Sequence, residues 1–510
     1  MRSNRRIWKA ALVATVATSL ALTGCSGGGG AAPAGDDTLT INIGGFPLSW
    51  APGSNAMQPG HFRLVYETLL DRTREGEILP NLATEWEFGE GAKSITLTLR
   101  DDVVFHDGTP FNAEAVKVNV EYVAANGGQY GGPLNAALAG VEVVDDTHVT
   151  INFTRPFGTF TTILSGQTLP IGSPAAIADG SIEKIPVGTS PWAYDAERSV
   201  EGASMFFAQF EDYWGELPPM TNIEMVAIPD DTAAVAAVLN GEIDVTDAEQ
   251  DQLPLVEDAD NADWYQYAAL RNNVTFLVRG PGDPLGDVRV RQALCYSLDM
   301  DTYSELDITI HPADQHFVEG EAGHSDDIVG YDYDLEKAKA LLAEAGNPTV
   351  DLLFPATGFN KQQVEAYADY FNKLPGVNVT VQELPVPEYV STWQGGQYPL
   401  GIGSHSQLNP ADWYGAWFSP QTPSNVSKYT SPELQALAGK AQGTPPGPEQ
   451  AAAWADVMKQ ISDEALACGH TVVDQIIVYN TDLVQDVQPT EIAAWEVNLI
   501  DYRTVRPAGS

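Results

Sequence analysis

The sequence predicts a protein of mixed α/β class with roughly two to four domains, at about 150 residues per domain. Its 510 residues include 44% hydrophobic residues, which suffices for a sizeable core and excludes a disordered chain. Strand patterns and helix patterns alternate along the chain without the strict strand–helix repeat of a barrel. These observations leave α/β and α+β architectures open.

Three segments alternate apolar and polar residues, which is typical of a half-buried strand. They are residues 38–43, 95–99 and 149–153. Four further segments have the apolar spacing of a helix. They lie near residues 113–125, 232–240, 289–298 and 335–345.

Capping residues delimit two of these helices. Asp334 can cap the first turn of the helix near 335–345, and Gly346 ends it. Asp230 and Gly241 frame the helix near 232–240 in the same way. The Gly-Thr-Pro-Pro-Gly-Pro run at 443–448 predicts a loop that joins two helices.

Charge, cysteine content and motifs exclude several classes of protein. The formal net charge is −43, and so acidic a surface repels phosphate backbones, which excludes nucleic acid as a partner. Three cysteines are too few for a disulfide-stapled miniprotein or a multi-cysteine zinc framework.

Because the chain lacks a nucleophile elbow, a His-Glu-x-x-His helix and a phosphate-cradling loop, we predict no enzyme, no catalytic residue and no cofactor. An extracellular glycan-active enzyme with paired carboxylates is the alternative outside the binding proteins.

The N-terminus has the pattern of an export signal. Its basic residues are Arg2, Arg5, Arg6 and Lys9. The uncharged run at 10–22 that follows is too short to span a bilayer. Leu-Thr-Gly-Cys at 22–25, at the end of this run, resembles the bacterial lipobox, which implies that residues 1–24 are removed and that Cys25 carries lipid. Residues 25–37 predict a flexible tether, so we expect a protein anchored by lipid on the outer face of the cell membrane. Sec and twin-arginine export both stay open.

Several stretches together resemble the family 5 solute-binding proteins of ABC importers, the dipeptide-, oligopeptide- and nickel-binding group. The most specific stretch is ITLTLRDDVVFHDGTPFNAEAVKVNVEY at 95–122. The others are residues 65–72, 79–88, 187–194, 212–244, 284–301 and 331–346. They keep the order and spacing of that family over most of residues 38–480.

The resemblance implies a type II periplasmic-binding-protein-like fold with two lobes, a hinge and an extra domain. Lobe I would comprise residues 38–66, 186–270 and 482–510, the extra domain residues 67–185, and lobe II residues 271–481. A small-molecule solute would be trapped between the lobes, which desolvates it. The partners implied are ABC permease membrane subunits, and the chain is expected to be a monomer.

The segment 388–418 indicates what kind of solute is bound. In the peptide-binding relatives the matching stretch supplies a cleft tryptophan and an aspartate for the peptide's α-amino group. Two registers place Ser406 or Leu408 at the acid position, so ordinary peptide recognition lacks its counter-charge unless Asp412 substitutes. The predicted ligand contacts are Trp50, Tyr389, Trp393, His405, Ser406 and Trp413.

A neutral, aromatic-rich wall also suits an oligosaccharide, and the family includes nickel carriers, so peptide, oligosaccharide and metal chelate stay open as ligand classes. The same aromatic residues can instead fill the core, and Trp50 can instead anchor a packed loop.

Histidines and cysteines give weaker signals. His106 and Asp107 are interpreted as a structural turn, as in the resembling family. His311, His316 and His324 match no zinc spacing, so we predict a solvated loop and no metal site. Cys295 and Cys468, both on apparent helices, either form a disulfide or are two buried free thiols.

Overall fold

The structure is a computed structural model that describes residues 37–510 with gaps. The gaps are residues 44, 48, 55–61, 74–75, 277–281, 320, 322, 329, 359, 406–408, 421–424, 426–428, 430, 491 and 493–499. The predicted export signal, Cys25 and the tether up to residue 36 lie outside the described residues. Within the described residues, no helix is both long enough and apolar enough to cross a membrane.

The strands are distributed along the whole described chain. They are β1 Thr38–Asn42, β2 Leu70–Arg72, β3 Ile78–Pro80, β4 Ala83–Phe88, β5 Ser94–Leu99, β6 Leu138–Val143, β7 His148–Phe153, β8 Trp192–Val200, β9 Ser204–Gln209, β10 Asn222–Val226, β11 Val245–Ala248, β12 Ala262–Phe276, β13 Ile310–Ala313, β14 Val350–Ala356, β15 Val377–Glu383, β16 Leu400–His405, β17 Ala467–Asn480, β18 Val484–Gln485 and β19 Arg506–Pro507.

The helices lie between these strands. They are α1 Ala113–Asn126, α2 Gly128–Ala137, α3 Phe160–Leu164, α4 Pro174–Asp179, α5 Asp231–Leu239, α6 Leu253–Glu257, α7 Val288–Tyr296, α8 Met300–Ser304, α9 Leu335–Glu344, α10 Lys361–Phe371, α11 Val386–Gln394, α12 Pro410–Trp413, α13 Pro432–Gly443 and α14 Pro448–Asp463. A π-helical turn, Tyr414–Phe418, continues α12.

The predicted strands and helices are confirmed. The three strand patterns correspond to β1, β5 and β7, and the four helix patterns to α1, α5, α7 and α9. Asp334 caps α9, because its Oδ1 accepts a hydrogen bond of 2.9 Å from the backbone N–H of Lys337. Gly346 follows with a φ of +88°, a conformation that disfavours side chains with a Cβ. The predicted loop at 443–448 joins α13 to α14.

Nine described strands form one mixed sheet in the order β16-β12-β17-β11-β1-β10-β9-β8, and β13 pairs with β17 beside this path. Strand β1 is parallel to β10 and β11, and the other neighbours are antiparallel. A second, antiparallel sheet has the order β4-β5-β7-β6. The large sheet therefore joins strands from the beginning, the middle and the end of the chain.

Four hydrophobic cores position the site. Core A contains buried residues within 39–66, 176–269 and 477–505. Core B contains buried residues within 69–171. Core C contains buried residues within 274–303, 338–402 and 465–468, and core D within 317–328 and 413–467.

Strands β12 and β17 connect core A with core C. They pair in antiparallel fashion, with register shifts between Ala268 and Leu270 and between Asn272 and Val274 of β12. On one side of these shifts the two strands contribute Tyr267 and Ile477 to core A. On the other side they contribute Val274 and Cys468 to core C.

A disulfide joins Cys295 to Cys468, whose Cα atoms lie 5.7 Å apart. Cys295 belongs to α7, as expected. The expectation of a helix at Cys468 is wrong, because this residue lies in β17, where it is opposite Val274 of β12. Both cysteines are fully buried in core C.

Asp244 makes the stability of the large sheet depend on pH. Its Oδ2 accepts a 2.6 Å hydrogen bond from the backbone N–H of Thr40 in β1, and burial raises its pKa to about 6. Because the folded pKa exceeds the unfolded value near 4, the folded state holds this proton more tightly. The corresponding stability is fully present below about pH 4 and is lost as pH rises to about 6, on the order of 3 kcal/mol.

We therefore expect Asp244→Asn, which retains an acceptor for Thr40 and removes the charge, to raise the melting temperature at pH 7. It should also flatten the change in melting temperature between about pH 4 and 6. The control is Glu201→Gln at an exposed position. An unchanged pH profile in the Asp244 variant would contradict this prediction.

Candidate functional site

An opposed pair of charges lies where elements of core B meet elements of core D. Arg72 ends β2, next to Leu69 and Leu70 of core B. Asp412 lies in α12, next to Trp413 of core D. Nη1 of Arg72 is 3.9 Å from Oδ2 of Asp412, and Oγ1 of Thr162 in α3 is 3.5 Å from Oδ1 of Asp412.

The start of α12 fixes the position of the Asp412 carboxylate. Asn409 is the N-cap, because its Oδ1 accepts a 2.9 Å hydrogen bond from the backbone N–H of Asp412. Its Nδ2 also donates a hydrogen bond to Oδ2 of Asp412. Pro410 follows at the first position of the helix, where a missing N–H has no cost.

The Asp412 carboxylate is both accessible and poorly hydrated. Its side chain is 35% exposed, whereas the side chain of Arg72 is only 3% exposed. Burial raises the pKa of Asp412, although Arg72 and the hydrogen bonds from Asn409 and Thr162 oppose this shift. Asp412 is therefore the more accessible of the two charged groups.

Trp413 lies on the other side of α12, inside core D. Its ring stacks on His316 with 4.0 Å between ring centroids and 4° between planes. Phe418 packs edge-on at 4.8 Å. A small cavity, with room for about one water molecule, lies beside Trp413, His316 and His470. Trp413 is 2% exposed, so it contacts side chains of the core on nearly all of its surface.

Tyr389 and Trp393 lie together on α11 and face β16. The Tyr389 hydroxyl donates a 3.2 Å hydrogen bond to the carbonyl of Ile402, and burial raises its pKa to about 12. The ring of Trp393 covers Gly401 so closely that a Cβ at this position would overlap it. His405 is the last residue of the same strand, opposite Arg271 of β12, and its side chain lies outside the described residues.

Two further predicted ligand contacts are Ser406 and Trp50. Ser406 and Leu408 lie outside the described residues. Trp50 is 3% exposed in core A, where it stacks on Phe62 at 4.9 Å and packs edge-on against Phe207 at 6.1 Å. These are the contacts of a loop anchor, the alternative that the sequence left open for Trp50.

Three further histidines, His106, His311 and His316, make structural contacts. Nε2 of His106 is 2.8 Å from the carbonyl of Ser190, and burial lowers the His106 pKa to about 4. Asp107 accepts a 3.0 Å hydrogen bond from the backbone N–H of Thr109, which closes the turn. His311 is paired with Asp474 at 2.8 Å. The prediction of a solvated loop is wrong for His311, which lies in β13, and for His316, because stacking on Trp413 buries it to 3% exposure.

Reasoning from the sequence did not select Arg72 and Thr162. The signal for Arg72 was a charged residue two positions after the apolar Leu69-Leu70 pair. Its partner Asp412 is 340 positions further along the chain, and no local pattern relates the two. The sequence indicates Asp412 only as a replacement for the missing acid.

Comparison with known proteins finds one matching family and several related binding proteins. Residues 77–425 match the family described as bacterial extracellular solute-binding proteins, family 5 Middle. The nickel-binding periplasmic protein of Escherichia coli K12 is 29% identical over 299 residues, which are 56% of this chain and 56% of that protein. The dipeptide-binding protein of the same strain is 29% identical over 312 residues, which are 53% of this chain and 55% of that protein. The chain thus matches little more than half the length of these relatives.

Solved structures of periplasmic binding proteins have the same mixed α/β fold. NikA from Brucella suis, in complex with Fe(III)-EDTA, superposes with a TM-score of 0.79 at 21% identity, covering 92% of this chain and 99% of that chain. HbpA2 from Haemophilus parasuis superposes with a TM-score of 0.77 at 20% identity, covering 92% and 99%. The match of the family over residues 77–425 confirms the resemblance found in the sequence. The chain belongs to the family 5 bacterial extracellular solute-binding proteins, which are binding proteins and not enzymes.

Proposed function

We propose that the chain is the lipid-anchored solute-binding component of an ABC importer. It captures a peptide-like or other small polar solute in a cleft between two lobes and delivers the solute unchanged to the permease subunits. Residues 38–66, 186–270 and 482–510 form lobe I, residues 271–481 form lobe II, and residues 67–185 form the extra domain. The protein acts as a monomer that is held at the membrane by lipid on Cys25.

The proposal rests on one observation: β12 and β17 both run from core A to core C. Each strand contributes residues to core A at one end and to core C at the other. Two cores that are connected by paired strands can move as bodies while each stays packed, which is what closure around a solute requires.

The charges at the site favour a polar, charged solute over a neutral sugar. Arg72 and Asp412 face each other where cores B and D meet, 3.9 Å apart, so that each is the other's counter-charge, and a solute that separates them must supply a charge for each. The names of the dipeptide-binding and nickel-binding relatives support a peptide first and a metal chelate second. The ligand contacts predicted from the sequence stay predictions. They are Trp50, Tyr389, Trp393, His405, Ser406 and Trp413.

A thermal-shift screen over short peptides, oligosaccharides and nickel chelates tests the proposal. A ligand at 100 times its Kd adds about 2.7 kcal/mol to the stability of the folded state and raises the melting temperature. We expect short peptides to do this and to be recovered chemically unchanged. Conversion of any solute into a product would contradict the proposal.

The anchor is tested separately. The Cys25→Ser variant should leave the membrane fraction, and its retention there would contradict lipid attachment at Cys25.

A further inference from the structure

Strand β17 changes its neighbours between Val473 and Ile476. One of its edges pairs with β13 up to Val473 and with β11 from Ile476 onwards. On its other edge, the register shift of β12 between Ala268 and Leu270 lies opposite Asp474 and Val473. Both edges are therefore irregular at the same place, where β17 passes from core C to core A. A rotation of one body relative to the other is expected to be absorbed here.

The Asp474 carboxylate links the two sides of this place. Its Oδ2 accepts a 3.0 Å hydrogen bond from Nε2 of Gln266, which lies next to Tyr267 of core A. The same Oδ2 is 2.8 Å from Nε2 of His311, which lies next to Ile310 at the margin of core C. Because one oxygen atom contacts a group from each side, a rotation that separates Gln266 from His311 breaks one of the two contacts.

A second set of contacts lies beside this carboxylate. Gln250 follows β11, and its side chain donates a 3.2 Å hydrogen bond to the carbonyl of Leu306 and accepts one of 3.2 Å from the backbone N–H of Ile308. The backbone N–H of Asp474 donates a 2.8 Å hydrogen bond to the carbonyl of Thr309. The segment before β13 is thus bound both to β17 and to the turn after β11.

The surroundings of His311 are mostly acidic. Partial burial, followed by the like charges of Asp231 and Asp307, raises the pKa of Glu249. Burial lowers the pKa of His470 to about 4, so this histidine is neutral above that pH. The acidic and basic residues on the elements next to His311 are Asp474 and His470 on β17, Asp263 and Arg271 on β12, Asp301 on α8, Glu305, Asp307 and Asp314 beside β13, and Asp247, Glu249 and Asp251 on β11 and the turn after it.

Among His311 and these described neighbours, only His311 gains a positive charge in mildly acidic solution, since Arg271 is charged throughout. Arg271 is paired with Glu321. Protonation of His311 therefore places a new cation against the Asp474 carboxylate, in a surrounding that favours it.

We propose that His311 and Asp474 form a latch across the hinge, which holds the two lobes closed more tightly once His311 is protonated. The inference rests on the proposed function and adds a regulation to it. The described arrangement is the closed one, because cores B and D are in contact through Arg72, Thr162 and Asp412.

The direction of the pH dependence follows from the charge of the imidazole. A protonated imidazole binds a carboxylate more strongly than a neutral one does. Histidine ordinarily changes its charge between about pH 5 and 8, so the latch is strong in mildly acidic solution and weakens as pH rises through that range. The protein should therefore retain its solute longer in acid.

Energy transfer between two dyes measures the arrangement of the lobes. The dyes are attached at Glu201→Cys, between β8 and β9, and at Glu433→Cys in α13, both at exposed positions. The exported chain also carries Cys25→Ser, and Cys295 and Cys468 are joined to each other, so only the two introduced thiols react. We expect the ratio of closed to open molecules to rise about two- to fivefold from about pH 8 to about pH 5.5, the effect of one partly exposed ion pair.

Two variants and a matched control assign this change to the latch. His311→Gln keeps a donor for Asp474 but stays neutral, and Asp474→Asn removes the charge of the carboxylate. Both should lose the dependence on pH. The control is His148→Gln, since His148 pairs with Asp145 at the same 2.8 Å, with 42% of its side chain exposed against 48% for His311, but within the hairpin of β6 and β7. It should keep the wild-type change.

The failures are distinguishable. A wild-type closed-to-open ratio that is independent of pH, or one that falls in acid, would overturn the latch and leave the receptor function standing. The same holds for a His311→Gln protein that keeps the wild-type change. A separation of the dyes that stays fixed at every pH, and with every solute that stabilises the chain in the thermal-shift screen, would overturn closure between lobes and with it the proposed function.

Discussion

Replacement of Trp413 with alanine is expected to lower the free energy of unfolding by about 3–5 kcal/mol. The indole is 2% exposed and packs against His316 on one face and Phe418 at one edge. The small cavity beside it would grow into a larger void, which the surrounding α14 and β17 cannot fill without losing their own contacts. Chemical unfolding, followed by fluorescence and by circular dichroism, measures the loss.

The matched control is Trp86→Ala, since Trp86 lies on β4 and is only partly buried. We expect a smaller loss for this variant. The opposite result, in which Trp413→Ala retains its stability but loses affinity for dipeptides, would place Trp413 in the ligand site and not in core D.

Removal of the disulfide by the double change Cys295→Ala and Cys468→Ala is expected to cost about 5 kcal/mol, because the bond closes a loop between residues separated by 173 positions. The bond restricts the unfolded chain more strongly the longer this loop is. Thermal unfolding of the exported chain, with and without the double change, measures the effect.

Cys25→Ser is the control, since Cys25 is the one other cysteine of the chain and is not part of this bond. It should not change the melting temperature. A thiol reagent that labels Cys295 and Cys468 in unfolded, unreduced wild-type protein would contradict the prediction.

Local features of the fold could be predicted from the sequence, whereas its long-range contacts could not. Asp334 and Gly346 delimit α9 through hydrogen bonds and backbone angles that involve only neighbouring residues. The local pattern around Cys468 predicts a helix, whereas its strand, β17, owes its conformation to pairing with β12, about 200 positions earlier in the chain.

The candidate site also depends on contacts between residues far apart in the chain, which the sequence alone does not reveal. The aromatic residues between 388 and 418 were identified, but a sequence does not distinguish a tryptophan in a cleft from one in a core. Trp413 and His316 stack on each other and are both buried. They are 97 positions apart in the chain, and no sequence pattern relates them. The family resemblance, in contrast, was recognised because it depends on the order of whole motifs.

The pairing of β12 with β17 restricts how the protein can change shape. The two strands form a double-stranded ribbon from Ala262 and Asn480 to Thr275 and Ala467. Shearing one half of the molecule past the other would break many backbone hydrogen bonds at once, so the ribbon can bend or twist but not slide. Its register shifts at residues 268–270 and 272–274 interrupt the regular pairing, and we expect any opening rotation to turn about these points.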